Sequence, residues 1–312
     1  MQRIHEIAFF DWGTSNLRVW IFDTNWALLR QTTSSKGADQ LSSDQFYGVT
    51  KDILQGLQAK RTPAEKFPIV MCGMVGSRTG WVEAGYLPTP VHCRQIPQVS
   101  SHIETDDLSV YILPGLAVQN QKMPDILRGE ETQILGFYMQ NPDFRGLACL
   151  PGTHSKWVVM DGGMVNGFHT ALTGELFALL ARHSVIRHII SEETSFEADH
   201  PAFRHGILDG FHHPERMIFE LFAIRAAGIL FSQIGAPASA RLSGLLIGAE
   251  ISGALKDHPE TKNIALLAAG RLALLYKQAF NYIELDVDLY DADMLVQDGL
   301  KFAAKHVFRN TK

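Results

Sequence analysis

No stretch of this chain holds the roughly 20 uninterrupted apolar residues needed to cross a bilayer, so no membrane span is expected. The beginning lacks the features of a signal peptide: Arg3, His5 and Glu6 precede only a brief apolar run that stops at Asp11. Cysteine is scarce. Cys72, Cys93 and Cys149 are odd in number and form no C-x-x-C pair, which argues against a disulfide framework and for a reducing, cytoplasmic setting. Basic runs are also missing, and a net charge of −5 with a pI near 6.2 gives no attraction to nucleic acid or to an anionic membrane surface. The thirteen histidines form no H-E-x-x-H, so they suggest no metal site.

What is present is a globular composition, 46% hydrophobic and 20% charged, in 312 residues, a length suited to two domains of roughly 150 residues each. FFDWGTSNLRVWIFD (9–23) and LPGTHSKWVVMDGG (150–163) follow one pattern: an apolar run, Gly-Thr, small polar residues, a basic residue, then an apolar run ending in Asp. Residues 6–12, 17–23 and 28–34 read as three strands, with a helix through SDQFYGVTKDILQGLQA capped by Ser43 or Asp44, then a buried strand at FPIVMCG. After MQNPDFRG the scheme restarts with strands at LACL, KWVVMD and MVNGFHTAL and a helix at GELFALLARHSVIRHII. The expected division is therefore 1–144, a sugar-binding and first phosphate domain, and 145–312, a nucleotide-binding domain. PERMIFELFAIRAAGILF reads as an amphipathic core helix, and RLSGLLIGAE as a strand running into a helix that starts at Ala249-Glu250.

A tight Gly-Thr turn points backbone N–H groups at an anion, because glycine lets the backbone approach without a Cβ in the way. Gly13, Thr14 and Ser15 in the first turn, and Gly152, Thr153, His154 and Ser155 in the second, are the candidate phosphate cradles. Asp11 ends the first strand, where a carboxylate could hold magnesium through water. Arg18 and Lys156 start the outgoing strands and could offset phosphate charge. Either turn alone is explained as an ordinary hairpin; two in register, each opening a half of the chain, favour a phosphate grip.

The D-x-G-T-[ST]-N-x-R opening and the second Gly-Thr hairpin resemble the phosphate motifs of the sugar kinase, heat-shock-70 and actin superfamily. DWGTSNLRVW, GMVGSRTGW, ILRGEETQILG, LPGTHSKWV, TALTGELFALL and RLSGLLIGAEI are, more narrowly, similar to the 2-dehydro-3-deoxygalactonokinase family. The resemblance implies an α/β fold of two ribonuclease-H-like, actin-like ATPase domains flanking an interdomain cleft, closing around substrates. It implies a cytoplasmic enzyme of galactonate breakdown that uses ATP and Mg2+ to phosphorylate the 6-hydroxyl of 2-dehydro-3-deoxy-D-galactonate.

With that function in view, Glu131 or Glu130 is the expected base that orients and deprotonates the sugar hydroxyl, with Asp125 in reserve. Gly76, Ser77, Arg78 and Trp81 are expected to hold the sugar acid, Arg78 as a bidentate clamp on its carboxylate. Gly174 and Glu175, at a helix start beside the second turn, and Ser243, Gly244, Gly248, Glu250 and Gly270 are the expected nucleotide contacts; the plain alternative at that helix start is that Thr173 simply caps it, which leaves room for a ligand. Rival readings are a kinase for another 2-keto-3-deoxy sugar acid such as 2-keto-3-deoxygluconate, an exopolyphosphatase-like phosphohydrolase, and an actin-like ATP switch. Partners are thus ATP and a small sugar acid, with no nucleic acid and no membrane; the sequence does not distinguish a monomer from a homodimer.

Overall fold

A computed structural model describes residues 6–60, 66–190, 195–261 and 263–308. Arg3 and His5, weighed above against a signal peptide, lie outside them. The chain forms two compact units, Met1–Phe144 with Asp161–Gly167 and Ala292–Lys312, and Arg145–Met160 with Phe168–Asp291.

In the first unit, β1 (Glu6–Trp12), β2 (Leu17–Asp23) and β3 (Leu28–Ser34) form an antiparallel meander on the expected residues. Apolar runs with no alternation make β1 almost wholly buried, as a central strand requires. Helix α1 (Gln45–Gly56) then leads to β4 (Phe67–Gly73), parallel to β1. Asp44 does occupy the position before α1, but its side chain caps nothing and instead accepts a hydrogen bond from Ser42. The short strands β5 (Tyr86–Pro88) and β6 (Val91–His92) follow, then β7 (Ser101–Glu104) and β8 (Leu108–Ile112), giving a main sheet ordered β3-β2-β1-β4-β8-β7. A small sheet pairs β5 with β9 (Gly115–Val118) and β9 with β10 (Asp125–Leu127), and α2 (Glu130–Gln140) follows. The core is aromatic and aliphatic; Trp12 meets Phe46 of α1 edge-on at 4.8 Å.

The second unit repeats this topology. Its meander is β11 (Arg145–Leu150), β12 (Ser155–Asp161) and β13 (Met164–Ala171), followed by helices α3 (Thr173–His183), α4 (Pro201–His212), α5 (Met217–Phe231) and α6 (Ala236–Asp257). β14 (Ile264–Ala268) adds parallel to β11, α7 (Gly270–Tyr282) follows, and β15 (Asp288–Asp291) adds parallel to β14. The order β13-β12-β11-β14-β15 matches β3-β2-β1-β4-β8 strand for strand, the duplication that the two Gly-Thr turns announced. The first residues of β13, Met164 and Val165, which belong to the first unit, pair with β6.

Four placements differ from expectation. The last helix, α8 (Ala292–Val307), belongs to the first unit and not to a 145–312 domain. It lies backbone to backbone on α2: a Cβ on Gly136 would come within 2.0 Å of the Leu295 carbonyl oxygen, and one on Gly299 within 2.1 Å of that of Thr132. RLSGLLIGAE is helical throughout, because Gly244 and Gly248 let α6 touch α4, whose Gly206 and Gly210 reciprocate; a Cβ on Gly244 would sit 2.3 Å from the Phe203 carbonyl oxygen. Thr173 is the first residue of α3 and makes no cap; its hydroxyl bonds to Glu250. Helix α5 gives Ile224 to a core cluster, with Met217 and Leu221 packed on it, but it is not the amphipathic helix expected, since its outer half is apolar and exposed.

Candidate active site

The first Gly-Thr turn closes β1 onto β2, with the Gly13 N–H bonded to the Asn16 carbonyl at 2.8 Å. Thr14 and Ser15 are exposed. The turn is seated on a second glycine: a Cβ on Gly37 would lie 2.0 Å from the Thr14 carbonyl oxygen. The register places Asp11 opposite Arg18 on one side and Cys72 on the other. Arg18 Nε donates to Asp11 Oδ2 at 2.9 Å, and its Nη1 also reaches Asp293 of α8, so two carboxylates already compensate this cation. The Cys72 thiol donates to Asp11 Oδ1 at 3.6 Å, and burial, then the Asp11 charge, pushes that thiol well up.

The 76–81 loop leaves the carboxyl end of β4, where ligands of parallel sheets collect. Gly76 and Ser77 are buried, Arg78 is exposed, and Trp81 packs on the core beside Tyr47. Arg128, just after β10, reaches the same loop: a Cβ on Gly76 would lie 2.8 Å from its Nη1. Its guanidinium stacks on Tyr86 at 4.4 Å, and Nη2 donates to the Gly85 carbonyl, while Nε and Nη1 are buried with no hydrogen-bond partner among the described residues. Glu130 and Glu131 then open α2. Glu130, half-buried, accepts from the Arg128 N–H at 3.1 Å; Glu131 is fully buried, accepting from the Gly129 N–H and the Thr132 hydroxyl. Asp125 lies at the start of β10 with its carboxylate on the Ile126 N–H.

In the second unit the Gly152-Thr153 turn is seated on α3. The Thr153 carbonyl accepts from the Glu175 N–H, and a Cβ on Gly174 would lie 2.6 Å from the Gly152 carbonyl oxygen. So each Gly-Thr turn leans on a glycine of a later segment, Gly37 in one unit and Gly174 in the other. His154 pairs with Glu175, and Lys156, almost fully buried, donates to the His154 carbonyl at 2.8 Å. Beside the turn is a cavity of about 360 Å³. Gly152, Thr173, Gly174 and Ser243 line it with Phe177, Phe196, Leu246 and Arg271. Gly244 and Gly248 face α4 instead, and Gly270, at φ +57°, turns the chain from β14 into α7.

A family model described as 2-keto-3-deoxy-galactonokinase matches residues 11–303. The chain belongs to that family. This kinase is 38% identical over 301 residues to a Rhizobium meliloti protein named "Probable 2-dehydro-3-deoxygalactonokinase", covering 96% of this chain and 97% of the relative. It is 33% identical over 299 residues to the Escherichia coli 2-dehydro-3-deoxygalactonokinase, covering 95% and 97%. A crystal structure from Sinorhizobium meliloti, carrying the same provisional name, superposes with a TM-score of 0.92 at 38% identity, over 97% of this chain and 99% of that one. The fold is accordingly the two-domain, actin-like ATPase architecture of sugar kinases.

Two buried carboxyls of the kinase have distinct surroundings. Burial, then the charge of Glu130, pushes Glu131 up to about 8, so at neutral pH it holds a proton. Glu250, beneath the cavity, is also raised by burial; hydrogen bonds from Thr173, Tyr276, Trp157 and Ser155 oppose that shift. Trp157 Nε1 donates at 2.9 Å and the Tyr276 hydroxyl at 2.7 Å, a satisfied network that joins α3, α6, α7 and β12 under the cavity floor. Sequence reasoning missed Arg128, Phe177, Phe196 and Arg271. Arg128 stood within the quoted ILRGEETQILG block, one residue before the glycine that opens α2, but nothing local marked its guanidinium. Arg271 follows Gly270 directly, donating to the Phe196 carbonyl and lying 4.7 Å over that ring.

Proposed function

We propose that the chain transfers the γ-phosphoryl group of ATP to the 6-hydroxyl of 2-dehydro-3-deoxy-D-galactonate. The observation that carries this reading is the near-full-length identity, 38% and 33%, to two proteins named for that activity. The site chemistry agrees with it. The second unit's cavity has apolar and aromatic walls and one cation, suited to a flat base and ribose, and it adjoins the backbone N–H groups of the Gly152-Thr153 turn. In the first unit, the buried and partnerless donors of Arg128 favour a carboxylate ligand, since unpaired buried cationic donors are costly. We therefore assign the clamp on the sugar acid to Arg128 rather than to the exposed Arg78, with Gly76 and Ser77 beside it.

Glu130 is the better base. A base must touch the attacking hydroxyl; Glu131 is fully enclosed and holds its proton, whereas Glu130 is half-exposed one residue earlier. As the sugar oxygen bonds to the γ-phosphorus and the bond to the ADP oxygen breaks, Glu130 takes the hydroxyl proton. Glu131 positions the start of α2 from beneath.

Magnesium fits the donor set in one manner only. Among the described residues no group of three carboxylate, histidine or cysteine side chains could hold an ion. Asp11 at the end of β1, beside Arg18 and its second partner Asp293, is the expected ligand, which suits an ion that draws most of its ligands from water and phosphate. The ion would neutralise charge on the transferring phosphates. The assay is ADP release from magnesium-ATP with the galactonate derivative, with 2-keto-3-deoxygluconate and with no sugar. Release that depends on the galactonate derivative and outpaces the gluconate one is expected; release indifferent to sugar would refute the kinase reading.

A further inference from the structure

We propose that two copies of this chain associate through α5 as a two-fold symmetric dimer. Helix α5 is apolar except for Glu220 and Arg225, and so apolar a helix is ordinarily buried on most sides. Among the described residues the stripe centred on Ile224 and Gly228 is the part that is covered, packed on Ile189 and on α6. The opposite half, at helical spacing, carries Ile218, Phe219, Phe222, Ile229 and Leu230, each 63–77% exposed, with Ala223 between them.

At roughly 200 Å² per fully exposed large side chain, those five offer about 700 Å², more than the largest apolar patch usual on a monomer (about 300–600 Å²) and close to the ~800 Å² that each partner of a standard interface buries. The edge of the patch is polar and already compensated, because Glu220 pairs with both Arg216 and Arg241. An apolar centre inside a polar rim is the anatomy of a protein interface. The occupant is a second copy because an apolar helix face carrying no charge along its middle is complementary to itself under a two-fold axis, which closes the contact. A membrane-surface helix would carry a lysine- and arginine-rich polar face, and α5 holds a single basic residue, Arg225.

Sedimentation of the whole chain at micromolar concentration should give twice the 34.7 kDa chain mass, and Phe219→Glu with Phe222→Glu should return it to one chain mass with an unchanged circular dichroism spectrum. Because both residues are exposed, the variant folds as the parent does. As a second reading, Ala223→Cys near the helix midpoint should form an intermolecular disulfide on mild oxidation, against a low background, since Cys72, Cys93 and Cys149 are buried. A wild-type monomer, a dimer that survives the double substitution, or a monomer that binds anionic phospholipid vesicles through α5 would overturn the proposal.

Discussion

Replacing Glu131 with Gln should stabilise the protein increasingly as pH rises. The carboxyl is fully buried at the start of α2, and burial with the adjacent Glu130 charge moves it from the ordinary 4.5 up to about 8 in the folded chain. The folded state therefore keeps a proton that the unfolded chain releases above the ordinary value. Stability contributed by the neutral form is fully present below pH 4.5 and is lost as pH rises through about 8. In that window the wild type loses unfolding free energy from this group at up to about 1.4 kcal/mol per pH unit, roughly 2–3 kcal/mol between about pH 5.5 and 7.5. Gln removes the titration while keeping an oxygen for the Gly129 N–H and a partner for the Thr132 hydroxyl. The assay is paired urea unfolding of both proteins at several pH values, followed by circular dichroism; titrations common to both cancel in the difference. A difference that stays level with pH would mean that Glu131 is ionised in the folded state, and would remove the reason for preferring Glu130 as base.

Kinetics should separate the two carboxylates: Glu130→Gln should cut kcat by about a hundredfold or more with ATP affinity unchanged, while Glu131→Gln retains most turnover at neutral pH. Arg128→Ala should raise KM for the sugar acid by about 10–100-fold and leave KM for ATP alone, as loss of a charge-assisted clamp implies; Arg78→Ala, the control, should change neither. Gly174→Ala drives a Cβ to 2.6 Å from the Gly152 carbonyl oxygen, so calorimetry should show weakened ATP binding with sugar binding intact. Gly248→Val, aimed at the Ile207 carbonyl oxygen 2.3 Å from the position of its Cβ, should cost about 1–3 kcal/mol or more in urea unfolding as α4 and α6 are forced apart.

How far the residues alone could be read follows from the range over which each feature is set. The strands on either side of both Gly-Thr turns were legible because an apolar run and its turn are local, and their repetition disclosed a duplicated sheet. RLSGLLIGAE was not, because a short buried run carries the same hydrophobic signal in a strand or a helix; what decides is Gly206 and Gly210, some 35 residues earlier, whose missing side chains admit a second helix. Arg128 was passed over for a similar reason. Its meaning rests on Gly76, Gly85 and Tyr86, remote in sequence, which leave two donors buried and unanswered. For α5 the residues withheld something different: a helix with no polar face cannot say which of its sides the fold covers. The fold covers one of them, with Ile189 and α6. The other half obeys the same hydrophobic rule that built the core, and in the proposed dimer a second copy supplies the cover that the described residues do not.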